Sequence, residues 1–256
     1  MIDPRVEIHP TARVANDVTI GPWTVIGPHV EIGEGSWIGP HVVINGPTRI
    51  GKNNQIFQFA SVGEVPQDKK YSGEDTTLEI GDNNTIREYC TINRGTTQGG
   101  SVTRIGNDNW IMAYVHIAHD CIIGNNNIFS SYSALAGHVT IQDYVTLSGF
   151  AAVHQFCEVG AHSFVARATC VTRDVLPYLL VAGYDASVCG LNTTGLKRRG
   201  FTTEMIENLR RAYKIIFRQG LTVEQALTEL ENLLSESPEV KLLLDALKNS
   251  KRGIVR

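Results

Sequence analysis

At 256 residues, with 42% apolar side chains and a formal charge of -3, the chain has the composition of a folded globular protein and no net basic drive toward nucleic acid. No run of about 18 apolar residues is present to span a bilayer, and no apolar signal core opens the chain, which points to a cytoplasmic protein that is not integral to a membrane. Five cysteines, an odd number without paired close spacing, speak against a disulfide framework or a zinc knuckle.

From the first residues an aliphatic side chain recurs every six positions, as Ile2, Ile8, Val14, Ile20 and Ile26 and so on to Val62. After two breaks the same period runs without a slip from Ile105 through Ile111, Ile117 and Ile123 to Val165 and Val171. Four residues after each of these positions lies a short side chain, among them Thr24, Ser36, Asn109 and Ser133, with Cys90, Cys121 and Cys157 in the same slot. A period of six suits neither a continuous helix nor a flat strand. Two inward slots per six residues predict a hexapeptide β-helix, in which three hexads close one triangular coil. Glycine after the aliphatic residue (Gly21, Gly33, Gly51) and clusters such as Asn53-Asn54 and Asn125-Asn126-Asn127 read as left-handed corner chemistry.

Solenoids push insertions outward as loops, commonly on a binding face. The breaks predict two such loops, about 63–77 and 94–104. Beyond Val171 the pattern gives way to a connector with Pro177, Gly183 and Gly190, and then to a helical period. Met205, Leu209, Ala212, Ile216 and Phe217 make one stripe, closed by Gly220. Thr222 with Gln225 forms a capping box for a second helix, and Pro238 opens a third. The expected division is a β-helix over 1–190 and a helical domain over 191–256, which covers the last coil and its unpaired strand edges.

Three histidines carry the chemical signal. His119, His138 and His154 occupy the third, fourth and second positions of hexads one full coil apart. That places them near one edge on successive rungs, roughly 4.8 Å apart. His119 is followed by Asp120, and a neutral histidine whose other nitrogen is held by a carboxylate is a competent general base near pH 7. Gly137 offers an unobstructed backbone N–H to a developing oxyanion. No Ser or Cys has the setting of a covalent nucleophile, so direct attack of a hydroxyl on an activated acyl group fits better than an acyl-enzyme. Zinc held by three histidines is the competing chemistry, although the five-residue histidine spacing of hexapeptide hydratases is absent. Lys197-Arg198-Arg199 reads either as a solvated helix start or as a diphosphate site.

Several runs together resemble one family: His116-Ile117-Ala118-His119-Asp120-Cys121, Leu135-Ala136-Gly137-His138-Val139, Val153-His154-Gln155-Phe156-Cys157 and Gly195-Leu196-Lys197-Arg198-Arg199-Gly200-Phe201. They are similar to the UDP-N-acetylglucosamine O-acyltransferases, which begin lipid A synthesis. The resemblance implies a left-handed parallel β-helix with a C-terminal α-helical domain, assembled as a homotrimer with sites in clefts between subunits. It implies transfer of a 3-hydroxyacyl group from acyl carrier protein to the glucosamine 3-hydroxyl of UDP-N-acetylglucosamine, without cofactor or metal. By the same resemblance, His119 is the base, Asp120 its partner and Gly137 the oxyanion donor. Asp68, Lys70, His116, His138, His154 and Gln155 would line the substrate cleft, and Asn192, Arg198 and Arg199 would hold the nucleotide. Phe164 and Arg167 would measure the acyl chain, Arg167 as a stop that shortens the groove. Asn93, Tyr184 and Thr194 depart from the family pattern, where histidine, asparagine and glutamate are usual. A weakly active paralogue that binds a sugar nucleotide, or a zinc-dependent hydratase, stays open as an alternative.

Overall fold

Six residues make one side of a prism. The computed structural model describes residues 1–256. The typical hexad is a two-residue strand, whose second side chain points inward, followed by a four-residue corner, as between His116–Ile117 and Ile122–Ile123. Strands one coil apart pair in parallel, Ile117 with Leu135 and Leu135 with Val153. The fold is a left-handed parallel β-helix, an exception to the usual right-handed crossover. Its first sheet has nine strands, from Glu7–Ile8 to Cys170–Val171. The second has eight, from Arg13–Val14 to Glu158–Val159, and the third has ten, beginning at Thr19–Ile20.

The periodic residues fill the prism as expected. Ile38, Ile56, Ile86, Ile111, Ile117 and Phe129 are fully buried, as are the short-slot Cys90, Val115 and Cys121. Each large side chain removed from water contributes about 1.5–3 kcal/mol. One column of the short slot is polar. The Oδ1 atoms of Asn54, Asn84 and Asn109 accept the backbone N–H of Asn84, Asn109 and Asn127 on the next coil, each at 2.9 Å. Corner N–H groups inside the prism thereby find acceptors, which a buried donor requires.

The glycines require a correction. Gly21, Gly33 and Gly51 are not in the left-handed region; that region belongs mostly to aromatic, histidine and asparagine residues such as Trp23, Tyr114, Asn126 and His138. Gly33 is needed because a Cβ there would lie 2.6 Å from the Gly51 carbonyl oxygen of the next coil. A bulky residue in the left-handed region costs about 1–2 kcal/mol, and stacking between neighbouring coils, at about 0.5–1.5 kcal/mol per aromatic pair, offsets it. Along the edge between the third and first sheets, Trp23, His41, Phe59, Tyr89, Tyr114, Tyr132 and Phe150 form one ladder with centroids 4.7–5.4 Å apart. Most of its rings are about half exposed.

The loops are shorter than the broken periodicity suggests, because pairing reclaims their ends. Strands Ser61–Glu64 and Thr77–Ile80 bound the first at 65–76, and strands Thr91–Asn93 and Val102–Ile105 bound the second at 94–101. The connector after Val171 is also more ordered than its sequence implies. Strand Leu179–Ala182 continues the third sheet in parallel, and Ser187–Leu191 turns back on it antiparallel. Four helices follow: α1 (Thr193–Arg198), α2 (Thr203–Phe217), α3 (Val223–Leu234) and α4 (Lys241–Asn249). The capping box of Thr222 and Gln225 is present, and Pro238 opens a 3-10 turn that runs into α4. Helix α1 has no counterpart in the hydrophobic pattern, being too short for a stripe. Lys197 and Arg198 stand in its last turn and Arg199 at its C-cap, so the basic run ends a helix and does not start one.

Gly33→Ala should destabilise the protein by about 1–3 kcal/mol, the cost of overpacking against backbone that cannot move aside. Chemical denaturation midpoints of the two proteins measure it.

Candidate active site

Both loops replace the same feature, the corner that carries the chain from the first sheet to the second. The next corners along that edge hold His119-Asp120, then Gly137-His138, then Gln155-Phe156. The insertions therefore emerge beside the residues that the sequence singled out, on one side of the prism.

Asp120 and His138 both adopt left-handed conformations, with φ near 60°, which turns their side chains along the edge. The Asp120 side chain is fully buried, and its Oδ2 lies 2.7 Å from His119 Nδ1 and 3.6 Å from His138 Nε2. Its Oδ1 accepts from Thr96 N–H at 2.7 Å and its Oδ2 from the Thr96 hydroxyl at 2.6 Å. Held in this way, His119 keeps its proton on Nδ1 and presents the lone pair of Nε2 outward. A Cβ on Gly137 would lie 2.5 Å from His119 Cε1 and 2.7 Å from Nε2, so only glycine allows the imidazole its position. The Gly137 N–H donates to no other group of the chain. Two of the three expected histidines meet: the rings of His119 and His138 are 5.1 Å apart and perpendicular. His138 stacks on Phe156 at 4.4 Å. His154 lies on the next coil, exposed beside Gln155, outside this contact.

Burial lowers the pKa of His138, partly countered by Asp120 and Asp68, and burial with the neighbouring His119 lowers that of His116. Both shifts favour the neutral imidazole. His116 Nδ1 is 2.7 Å from the Thr91 hydroxyl. Asp68 and Lys70 project from the first loop, Asp68 close enough to act on His138. That loop is tied down from below. Buried Arg94 donates to the Gly46 and Gly63 carbonyls and to the Tyr71 hydroxyl, and Asn93 Nδ2 donates to Val65 O at 2.7 Å. The ligand atoms of His119, Asp120 and His138 all lie within 4.8 Å of one another. The Asp120 carboxylate bridges the His119 imidazole and the Thr96 hydroxyl.

The basic residues occupy a different face. A cavity of about 550 Å³ on the third sheet is lined by Thr146, Phe164, Asn192, Thr194, Arg198 and Arg199. Asn192 caps α1 through Oδ1 and donates from Nδ2 to the His162 carbonyl. Arg199 lies 5.3 Å over the Tyr144 ring, with a buried Nη1 that has no partner. Burial pushes its pKa down. Arg198 and Arg167 are exposed, as is Tyr184. Sequence reasoning missed Thr96, whose contact with Asp120 crosses 24 residues and a loop. Phe156 was legible, since it follows His138 by one coil length.

The prism of hexapeptide repeats places the chain among the left-handed β-helix proteins. The model for bacterial transferase hexapeptide (six repeats) matches residues 103–137, and that for Udp N-acetylglucosamine O-acyltransferase, Domain 2, matches residues 174–255. The acyl-[acyl-carrier-protein]--UDP-N-acetylglucosamine O-acyltransferases of Stutzerimonas stutzeri and Ectopseudomonas mendocina are 55% and 56% identical, each over 100% of this chain and 99% of their own. Among solved structures, the UDP-N-acetylglucosamine acyltransferase of Francisella novicida has a TM-score of 0.98 at 44% identity, covering 100% of this chain and 94% of its own. LpxA of Acinetobacter baumannii gives 0.97 at 48%, covering 100% and 99%. The chain belongs to the UDP-N-acetylglucosamine O-acyltransferase family.

His162 supplies a pH prediction. Packed between Tyr144 and Tyr178 with Phe201 at its edge, it titrates at about 4, lowered from 6.5 by burial and then by Arg199, with Asp143 opposing. The unfolded chain takes up this proton first as pH falls, so stability is unaffected above about 6.5 and declines from there toward 4. His162→Phe keeps the stack and should flatten the fall of the thermal midpoint across that window.

Proposed function

We propose that the protein transfers a 3-hydroxyacyl group from acyl carrier protein to the glucosamine 3-hydroxyl of UDP-N-acetylglucosamine, the first step of lipid A biosynthesis, in the cytoplasm and as a homotrimer. The observation that carries this reading is His119, oriented by buried Asp120 and lying against Gly137, in a chain more than half identical to enzymes of that name. His119 Nε2 takes the proton of the 3-hydroxyl while its oxygen attacks the thioester carbonyl. The Gly137 N–H donates a hydrogen bond to the developing oxyanion. Collapse of the tetrahedral adduct expels the carrier thiolate, which recovers the proton from His119. Asp120 stabilises the imidazolium between these steps. His116, His138, His154, Gln155, Asp68 and Lys70 line the cleft around the sugar.

Arg198 and Arg199 take the diphosphate, and the unpartnered Nη1 of Arg199 supports this. Asn192, in the same cavity, sits beside the nucleotide. These residues, in helix α1 and at its caps, line the cavity over the third sheet, whereas His119 stands at the corner after the first, so one chain carries two halves of different sites. A second copy whose third sheet faces the first sheet of its neighbour completes each one. The edge shared by those two sheets then runs along the three-fold axis, and the exposed aromatic ladder is the apolar surface such an assembly covers. Phe164 lines the cavity and Arg167 stands two residues beyond its strand. Together they limit the acyl groove, since an unpaired guanidinium against an alkyl tail is costly.

His119→Ala should leave the fold intact and lower acyl transfer about 10² to 10⁴-fold, read by radiolabelled product formation; near-normal turnover sinks the assignment. Arg198→Ala should raise the sugar-nucleotide KM about 10- to 150-fold, the loss of a charge-assisted hydrogen bond. When the two variants are unfolded and reassembled together, random assortment in a ring restores about one site in four. Activity of the mixture no greater than that of the separate variants excludes sites shared between subunits.

A further inference from the structure

The second loop reaches into the proton-transfer pair. Thr96 is buried, although it belongs to a polar, glycine-bearing loop. It is the residue whose N–H and hydroxyl occupy both oxygens of the Asp120 carboxylate, at 2.7 and 2.6 Å. The oxygen bound by the hydroxyl is the same Oδ2 that meets His119 Nδ1 at 2.7 Å. The loop is itself held: Gly99 and Ser101 donate N–H to Thr96 O, Thr77 donates to Ser101 O, and Gly95 donates to Thr77 O. Thr103, on the strand that follows, takes the Asp120 N–H on its hydroxyl at 2.8 Å. Gly99 lies so close that a Cβ there would overlap the Asp120 carboxyl carbon.

A carboxylate held only by the imidazole is free to turn and present either oxygen, because its terminal torsion is broad and roughly two-fold. Two donors from one backbone position remove that freedom. We propose that Thr96 is a positioning residue for acyl transfer, fixing the Asp120 carboxylate so that Oδ2 orients His119 with its lone pair toward the sugar hydroxyl. The proposal rests on the reading of His119 as general base. It gives the second insertion a function that the first does not share, since the first carries substrate-facing side chains and the second braces the catalytic pair from behind.

Thr96→Val keeps the shape and the backbone donor and removes the hydroxyl; Thr96→Ser restores the hydroxyl. In steady-state acyl transfer the valine variant should lose about tenfold in kcat, the lower end for a hydrogen bond to a charged group, with the sugar-nucleotide KM unchanged because Thr96 touches no substrate. The serine variant should work close to the unmodified enzyme. Gly99→Ala should also lower kcat at constant KM by displacing the carboxylate, and it carries the test should Thr96→Val fail to fold. Normal kcat in Thr96→Val or in Gly99→Ala, a loss confined to KM, or a serine variant as poor as the valine one overturns the role of Thr96. Absence of acyl transfer in the unmodified protein, or full activity in His119→Ala, overturns instead the reading of the site on which it rests.

Discussion

Backbone pairing between coils, renewed once per turn of the prism, is the constraint on which the structure depends. A two-residue strand has no stability of its own. It persists because each one is hydrogen-bonded to the strand on either side and shares its inward residue with a continuous core. A slip of one residue along a strand would turn the inward aliphatic side chain to solvent, so register is fixed at every coil. Only a corner can gain residues without disturbing it. Across the Asn54, Asn84, Asn109 and Asn127 ladder the spacing goes from 30 to 25 to 18 residues while the hydrogen bonds stay at 2.9 Å.

That tolerance is where the site is built. The corners of a regular prism are alike in backbone shape, and their left-handed residue decides what each one offers. On the edge between the third and first sheets it is a ring that stacks. At the corner after His116–Ile117 it is Asp120. A fully buried carboxylate is costly unless its oxygens are satisfied; Thr96 of the second loop and His119 donate to them, while the Thr103 hydroxyl on the following strand accepts the Asp120 N–H. Insertion and charge burial are therefore coupled: without the loop, the carboxylate would lack the two donors of Thr96.

The division of the basic cavity and the His119 corner between two faces has the same origin. Both sets of residues follow strands, but of different sheets, and a convex prism cannot bring two of its faces together.

Much of this was present in the residue order. The period of six fixed the prism, the inward slots and the coil on which each histidine stands, because a solenoid converts sequence distance directly into rung number. The adjacency of His119 and Asp120 made the pair legible, and the resemblance of four runs to one family supplied the hand of the helix. The glycines were misread, since their need comes from backbone on the next coil. Helix α1 leaves no stripe in the sequence because it has six residues, and of the two readings of the basic run the helix start does not hold, since the run ends α1. What only tertiary structure decided lies across the loops. That Thr96 grips Asp120 and that Arg94 braces the first loop both depend on how irregular segments fold back on the edge. Loop contacts have no period, and without a period sequence separation says nothing about distance.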